Sequence, residues 1–571
     1  MNTNEMLKVV VLSGGSGNDA LIKGLKQLFG QEKKLDIKVI VNAYDNGKST
    51  GVCRAVTDML GVSDIRKNHE RMYEIIHGEE GNLPEFFSKR FNFTRGNERK
   101  EIESLLKQWN LSQYSRYVRG FFDSPVAHEY EYKDFVVANI VYAQMFREIG
   151  YEKTNKHFCD MLGIDDFVVL NSFDNVFIKA VTQSGHIIAD EGDIVCWNNP
   201  DDIIVDVFFD VRNDSYGLNP AAVKLVKNAD LILISTGTFW SSLQPTVKYL
   251  DFYKYINASH AKKIWILNND KDGDSYGVSS LQFVGFMEEA GLDLSDFTIL
   301  VNSEAETLLR QIDDRHNFEV RNMGNLKGKH CPELFARAVL DVYFGLIGKF
   351  DTVIFDFDDT LWSRETTESA QKTSIENLCL LQDRFCEKTI IVSGNSFDSI
   401  RRKILQVYES LSSFHIPIWA DANSTLYLQG KKINRIDKCV LSQESVKSIM
   451  AVVDELGITD KTVIIDSDGV VNIKIKPLAD KVRDDVCSAL NDSDNNYLAC
   501  KTGKTTVDVL SKNNNKSIVL DYIDRHGRIL YVGDETYMGN DVVIAGKCSA
   551  FCQVKSVFET NILLRLLEKY L

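Results

Sequence analysis

A chain of 571 residues exceeds what one hydrophobic core organises, so two to four domains are expected. Its composition, 44% hydrophobic and 26% charged with only 8 Pro, excludes a large disordered or collagenous part. A formal charge of −15 argues against non-specific binding to nucleic acid or to an anionic membrane, while leaving room for a local basic pocket for phosphate.

The first residues are polar up to Lys8, and the apolar run 9–12 is too short for a signal peptide. It reads instead as a strand over 8–12 that enters Ser13-Gly14-Gly15-Ser16-Gly17-Asn18-Asp19-Ala20 and then a helix containing Leu21, Leu25 and Leu28. Glycines at a strand-to-helix turn expose backbone amides and a helix N-terminus to a phosphate. Gly15, Gly17 and Ala20 also fit the loose dinucleotide fingerprint, a weak signal alone. A second strand over 37–42 leads to Asp45-Asn46-Gly47-Lys48-Ser49, then Arg54, then Ser63-Asp64-Ile65-Arg66-Lys67-Asn68. Residues 70–131 are charged and aromatic with weak strand signals and read as a helical insertion. His69, His77 and His128 lie in or near it without ligand spacing, so they read as surface or core side chains. Strands over 231–235, 263–267 and 298–301 follow, the first ending in Ser235-Thr236-Gly237-Thr238 and the second in Asn268-Asn269. A helix over 332–347 closes this part, and Gly348-Lys349-Phe350 forms a hinge. Short β-branched runs alternating with amphipathic helices are the pattern of parallel α/β domains.

In this order the segments resemble the 2-phospho-L-lactate transferase family, which includes the YvcK-type nucleotide-sugar-binding proteins. The resemblance spans 8–347, interrupted by the insertion. It implies a Rossmann-like parallel-sheet domain, 1–347, that binds a GDP- or UDP-linked nucleotide diphosphate derivative at its strand C-termini. It further implies that Gly14, Gly15 and Gly17 cradle phosphate, and that Asp45, Ser49, Arg54, Asp64, Arg66 and Asn68 line the site. Thr236, Gly237 and Asn268 are then the residues that close it. The chain departs from the family pattern at Asp45-Asn46, where one carboxylate of an acidic pair is lost, and at Ser235-Thr236-Gly237-Thr238 and Ala138-Asn139. The first change weakens the expectation of a base- or metal-assisted transfer. A nicotinamide-dependent oxidoreductase rests on the fingerprint alone and is set aside.

Beyond the hinge, the strand 353–357 delivers Asp356 and Asp358, followed by Asp359 and Thr360, which is an arrangement for metal-assisted phosphoryl transfer through an aspartyl phosphate. A strand over 389–393 ends in Ser393-Gly394-Asn395, where a hydroxyl and an approachable amide can meet a phosphate oxygen. Lys512, read as the start of a helix, offers an ammonium to neutralise phosphate and nucleophile. A strand over 529–532 ends in Gly533-Asp534-Glu535, and Asp534 can complete an oxygen shell for Mg²⁺, with Asn540 and Asp541 orienting it. Two similar segments are rejected. Asp466-Ser467-Asp468 lacks a strand-Ser-Gly element downstream, and Gly503-Lys504-Thr505 lacks the first glycine of a P-loop, which would fall at Leu498.

The four segments in order resemble the haloacid dehalogenase (HAD) superfamily over 348–571. The resemblance implies Asp356 as nucleophile, Asp358 as general acid/base, Ser393 and Lys512 as phosphate binders, and Mg²⁺ held by Asp356, Asp358 and Asp534. The interval between Ser393 and Lys512 looks like the αβ cap of the sugar-phosphatase and phosphomannomutase branch, placed at about 425–505, which implies a small phosphorylated metabolite as substrate. The fold expected is therefore α/β, a Rossmann-like sheet domain followed by a HAD Rossmannoid domain with an inserted cap.

The 11 Cys are scattered without CxxC spacing and no apolar run reaches membrane length, so a cytoplasmic protein with reduced thiols is expected. The reading is a bifunctional enzyme, a phosphatase fused to a domain that binds or transfers a nucleotide-activated unit. The alternative is a non-catalytic nucleotide-sugar sensor that controls the phosphatase. No nucleic-acid or membrane partner is expected, and a homo-oligomer is compatible with the sequence.

Overall fold

The computed structural model describes residues 6–571 except 16, 30–34, 79–82, 213–216, 269–276, 306–314, 325–328, 364–367, 407, 460, 467–468, 476–478, 494–495, 503–505, 524–526, 535–540 and 569. The expectations for Ser16, Asn269, Ser467, Asp468, Gly503, Lys504, Thr505, Glu535 and Asn540 lie outside the described residues. The chain divides into two units, Met6–Tyr343 and Phe344–Leu571.

The first unit is built on strands β1 (Leu7–Leu12), β2 (Leu35–Val41), β3 (Val168–Leu170), β4 (Leu231–Ile234), β5 (Lys262–Ile266), β6 (Phe297–Asn302) and β7 (Phe318–Arg321). They form one sheet in the order β7-β6-β5-β4-β1-β2-β3, with every neighbouring pair parallel. Strands such as Leu231–Ile234 are apolar throughout because both faces are covered. Val10, Leu12, Ile232 and Ile234 pack on one face against Val226, Trp240, Val247 and Met287. Helices Asp19–Phe29 and Pro332–Tyr343 pack against each other within this unit. The latter helix stops short of the expected residue 347, because Gly345 takes a left-handed φ of 66° that breaks the helical path.

The order reverses between β1 and β4: the chain steps outward from β1 to β2 and β3, then returns to the other side of β1. At such a switch point the loops leaving two adjacent strands diverge and open a crevice at the carboxyl ends. The loop after Leu12 and the loop after Ile234 therefore face each other there.

Within residues 70–131, helices Glu85–Ser88, Glu98–Gln108 and Ser115–Phe122 form the expected helical insertion. It is held by rings: Phe86 stacks on Tyr114 at 5.5 Å, Phe87 meets Phe158 edge-on at 5.9 Å, and Tyr142 stacks on Phe158 at 3.8 Å. The insertion is thus part of the core of this unit.

The second unit carries β8 (Thr352–Asp356), β9 (Thr389–Val392), β10 (Ile418–Ala420), β11 (Thr425–Leu428), β12 (Lys431–Arg435), β13 (Lys461–Asp466), β14 (Gly469–Ile475), β15 (Tyr497–Thr502), β16 (Thr506–Ser511), β17 (Ile529–Gly533) and β18 (Ala550–Gln553). Its main sheet runs β12-β11-β10-β9-β8-β17-β18, parallel from β10 to β18 and closed at the other edge by the antiparallel hairpin β11-β12. β8 is central, between β9 and β17.

A separate antiparallel sheet, β13-β14-β16-β15, is the cap; Ile473, Ile475, Val507 and Val509 pack against Ile449, Val453, Val486 and Leu490 of helices Gln443–Glu455 and Asp480–Ser493. The cap limits differ from the expected 425–505. The hairpin over 425–435 pairs with β10 of the main sheet, and the cap sheet continues to Ser511. Among the described residues, no helix is long and apolar enough to cross a membrane. All 11 cysteines are free thiols.

His69 is a core residue, as its lack of ligand spacing suggested: its ring nitrogens lie 2.8 Å from Tyr142 Oη and 2.8 Å from Asn155 Oδ1. Burial lowers its pKa to about 4, against an ordinary value near 6.5. The unfolded chain therefore takes up a proton before the folded one does. Stability from the neutral ring is complete above pH ~6.5 and is lost as pH falls towards ~4. Between pH 7 and 4.5 the protein is expected to lose about 2–3 kcal/mol more stability than a His69→Gln variant, as measured by urea unfolding. Equal pH dependence in the two proteins would contradict a buried neutral His69.

Candidate functional site

Asp356 ends β8, and Asp534 follows β17 on the adjacent strand, so two carboxylates arrive side by side at one sheet edge. Asp541, fully buried, joins them: one oxygen from each of Asp356, Asp534 and Asp541 lies within 4.8 Å of the others. Lys516 Nζ lies 2.8 Å from Asp356 Oδ1 and also donates to Asp541 Oδ1.

Burial raises Asp356 well above the usual carboxylate range; Lys516 opposes that shift, and Asp541 and Asp534 add to it. Burial pulls the Lys516 ammonium down, and the carboxylates of Asp356 and Asp541 more than reverse this, so its pKa is raised. Three carboxyl groups face one ammonium in a largely buried pocket, so that with all three ionised, as a bound cation would hold them, two negative charges are in excess. An all-oxygen donor set with that excess fits a hard dication such as Mg²⁺. Asp356, Asp534 and Asp541 are the residues that fit it.

Asp358 turns elsewhere. Its Oδ1 accepts from Lys403 Nζ at 2.8 Å, and its Oδ2 accepts from Asn395 Nδ2 and lies 3.5 Å from Ser393 Oγ. The Asp358 side chain, expected as a metal ligand, is not among the three carboxylates that meet; Asp541, expected only to orient that shell, is, while Asp358 meets Lys403 and the loop after β9. Ser393 does come to this cluster, buried at the end of β9.

Lys512 does not. It sits exposed in the turn after β16, where its N–H donates to the Asn496 carbonyl. The strand runs to Ser511 where a helix start was expected, and Asn515 then caps the short helix Lys516–Asp521 that carries the site lysine. The run Asn513-Asn514-Asn515, whose side chains favour turns and helix starts, is the sequence signal that points four residues further on.

In the first unit, the loops after β1 and β4 meet as the switch point requires. A side chain at Gly17 would overlap the Thr236 carbonyl, and Thr236 Oγ1 donates to the Gly17 carbonyl. A Cβ at Gly15 would stand 2.5 Å from Asp64 Oδ1 and 2.7 Å from Lys67 Cδ. Asn268 clamps Gly237 from both sides, accepting its N–H at 3.2 Å and donating to its carbonyl at 3.0 Å. Asn68 donates to the Gly14 carbonyl at 3.2 Å and receives Asn18 at 3.0 Å.

Arg54 and Arg66, expected to line the site, lie behind its wall. Arg54 is buried and donates to the carbonyls of Tyr44, Asp45 and Val176 and to Asn175. Arg66 donates to Asn139 at 2.7 Å, to Glu70, and to the Phe87 carbonyl of the insertion, and Asn139 in turn donates to Ser49 at 2.9 Å. The insertion thereby braces Arg66, and Arg66 fixes Ser49 through Asn139.

The carboxylate missing at Asn46 is supplied from elsewhere. Glu191 accepts from the Asn46 N–H at 3.1 Å and shares a hydrogen bond with Asp45. Burial pushes Glu191 up to about 8, with the charges of Asp45 and Asp64 adding to it. Asp64 is raised by burial and by Asp45, against the pull of Lys67, whose ammonium lies 3.3 Å away. Glu191 is 145 residues from Asn46 in the chain, so no local pattern pointed to it.

The chain is similar to several known proteins. A putative gluconeogenesis factor of Thermoanaerobacterium thermosulfurigenes is 23% identical over 299 residues, covering 52% of this chain and 78% of its own length. A crystal structure of a Bacillus halodurans protein aligns with 59% of this chain and 99% of its own at 19% identity and a TM-score of 0.44. A haloacid dehalogenase-like hydrolase from Bacteroides thetaiotaomicron aligns with 35% of this chain and 86% of its own at 13% identity and a TM-score of 0.27. Residues 9–329, more than half of the 571, match the family model described as 2-phospho-L-lactate transferase CofD. The chain belongs to the 2-phospho-L-lactate transferase CofD family.

Proposed function

We propose that the second unit is a Mg²⁺-dependent phosphatase for a small phosphorylated metabolite. The observation that carries this reading is the meeting of Asp356 and Lys516 at 2.8 Å beside Asp534 and Asp541. When bound by those three carboxylates, Mg²⁺ supplies positive charge that stabilises the transferring phosphoryl group. Asp356 Oδ attacks phosphorus, forming a carboxyl–phosphate bond as the bond to the ester oxygen breaks. Asp358 gives that oxygen its proton, so the alcohol leaves neutral. Asp358 then takes a proton from water as the water oxygen attacks the aspartyl phosphate, releasing inorganic phosphate and restoring Asp356. Lys516 offsets charge on Asp356 and the phosphoryl oxygens, and the Ser393 hydroxyl donates to one of them.

The first unit, on this proposal, binds a nucleotide diphosphate derivative, GDP- or UDP-linked, at the switch point between β1 and β4. Lys67 and the backbone of Gly14-Gly15 face the diphosphate there. Glu191, hydrogen-bonded to Asp45, sets a second carboxyl group next to Asn46, which supports the reading of an active transferase. The rival reading is a non-catalytic sensor that controls the phosphatase; the relatives are named gluconeogenesis factors.

Asp356→Asn is expected to abolish Mg²⁺-dependent hydrolysis of p-nitrophenyl phosphate with the circular-dichroism spectrum unchanged, and chelation by EDTA to stop the wild-type reaction. Retained turnover in either experiment contradicts the assignment. Lys516→Met is expected to lower kcat by roughly 10²–10³, the cost of removing one charge-stabilising donor, while Lys512→Met stays within about twofold. The reverse ranking would restore Lys512 to the site. For the first unit, mass spectrometry of small molecules retained by the purified full chain is expected to find a nucleotide diphosphate derivative. Adding that compound separates the two readings. Its consumption indicates a transferase, and an altered phosphatase rate with the compound intact indicates a sensor. If no nucleotide is retained and added GDP- and UDP-linked ligands bind nowhere, the proposal fails.

A further inference from the structure

The phosphatase reading leaves one cation at the site without a task. Lys474 lies on cap strand β14, directly opposite Asp508 of β16 in the antiparallel register. Beside that long-range pairing it reaches the main domain, where its Nζ donates to Asn395 Oδ1 at 3.2 Å. Asn395 donates in turn to Asp358, so the Lys474 ammonium stands two hydrogen bonds from the group assigned to proton transfer. From the other side Lys403, on helix Phe397–Ile404, meets the same Asp358 at 2.8 Å and lies over the rings of Phe357 and Trp362. The site is thus approached by one lysine from the main domain and one from the cap.

The two cations are not equally compensated. Lys403 has a carboxylate at hydrogen-bond distance. Lys474 is only 14% exposed, and among the described residues the one carboxylate in ion-pair range is Asp508, at 4.0 Å, the limit of that range and beyond hydrogen-bond length. An ammonium can donate three hydrogen bonds, and among the described residues Lys474 makes one, to a neutral amide. Taking a cation this far out of water is costly unless an anion answers it. The position is also specific. The cap meets the main domain at this point, so a substrate enclosed there is read by cap side chains at the end remote from its phosphoester.

We propose that the substrate of the C-terminal site carries a second anionic group, a carboxylate or another phosphate, and that Lys474 of the cap binds it beside Asn395. This rests on the phosphatase reading of the same site. A purely structural role is the competing account. In it the Lys474–Asn395 contact is a latch that holds the cap down, and its loss weakens every ligand alike.

The test uses two matched pairs of phosphoesters on the full chain, with Asp356→Asn as background so that binding is read without turnover. 3-Phosphoglycerate differs from glycerol 3-phosphate by a carboxylate in place of a hydroxymethyl group, and fructose 1,6-bisphosphate differs from fructose 6-phosphate by a second phosphate. Calorimetry with Mg²⁺ present is expected to show at least tenfold tighter binding of the dianionic-plus-anionic member in one pair, and that pair identifies the group. Adding Lys474→Gln is expected to collapse the preference to within about twofold. Equal binding within both pairs overturns the proposal, as does a Lys474→Gln variant that weakens both members alike. Hydrolysis of p-nitrophenyl phosphate by the wild-type chain, measured separately, reports on the phosphatase reading alone.

Discussion

Lys516 meets Asp356 and Asp541 where water has almost no access, and the second unit is arranged around the cost of that meeting. Removing an ion from water costs several kcal/mol even after relaxation, and one ion pair recovers that only with good geometry and further partners. Here two of the carboxylates come from the ends of the adjacent strands β8 and β17, so their spacing is set by sheet hydrogen bonding, and Asp541 joins them from beyond β17. The ammonium comes from a short helix capped by Asn515, directly after the cap returns to the main domain. The cap therefore touches the loop that presents Asn395 through Lys474, and its last strand leads into the helix that presents Lys516. Displacing either connection leaves buried charge unanswered.

The first unit solves a different problem with the same kind of sheet. Its glycines at 15 and 17 are required less for flexibility than for close approach, since Asp64, Lys67 and Thr236 fill the space their side chains would take. The two arginines that resemble ligand-binding residues in sequence hold the walls, and the aromatic insertion reaches the site through Arg66 and Asn139. What faces the crevice is a set of carboxylates, Asp45, Asp64 and Glu191, with Lys67 among them. That composition suits a ligand whose own negative charge is masked by a cation, or one whose hydroxyl is to lose a proton.

Much of this was legible in the sequence because strand ends announce themselves. Apolar runs terminating in Asp356, Ser393, Asp534 or Gly14-Gly15 carry both the sheet and the chemistry in one local signal. What stayed hidden was whatever depended on chain segments far apart. Glu191 replaces a carboxylate lost at Asn46, and Lys474 joins Asn395 across the cap, yet neither has a local pattern. The stretch before Lys512 reads equally as strand or helix start, and only the three asparagines at 513–515 mark the turn that leads to Lys516. The spacing of Asp358 from Asp356 suggests a shared metal role, whereas the strand ends at Asp356 and the Asp358 side chain beyond it meets Lys403 at 2.8 Å.

The central claim is that Asp356, Asp534 and Asp541 together form a cation site whose excess negative charge Lys516 only partly answers. Titration calorimetry of Mg²⁺ into the full chain near neutral pH tests it most directly. One ion per chain is predicted to bind in the wild type, and binding at that site is predicted to weaken at least tenfold in Asp534→Asn. Absence of Mg²⁺ binding, or an unchanged affinity in the variant, would contradict the account.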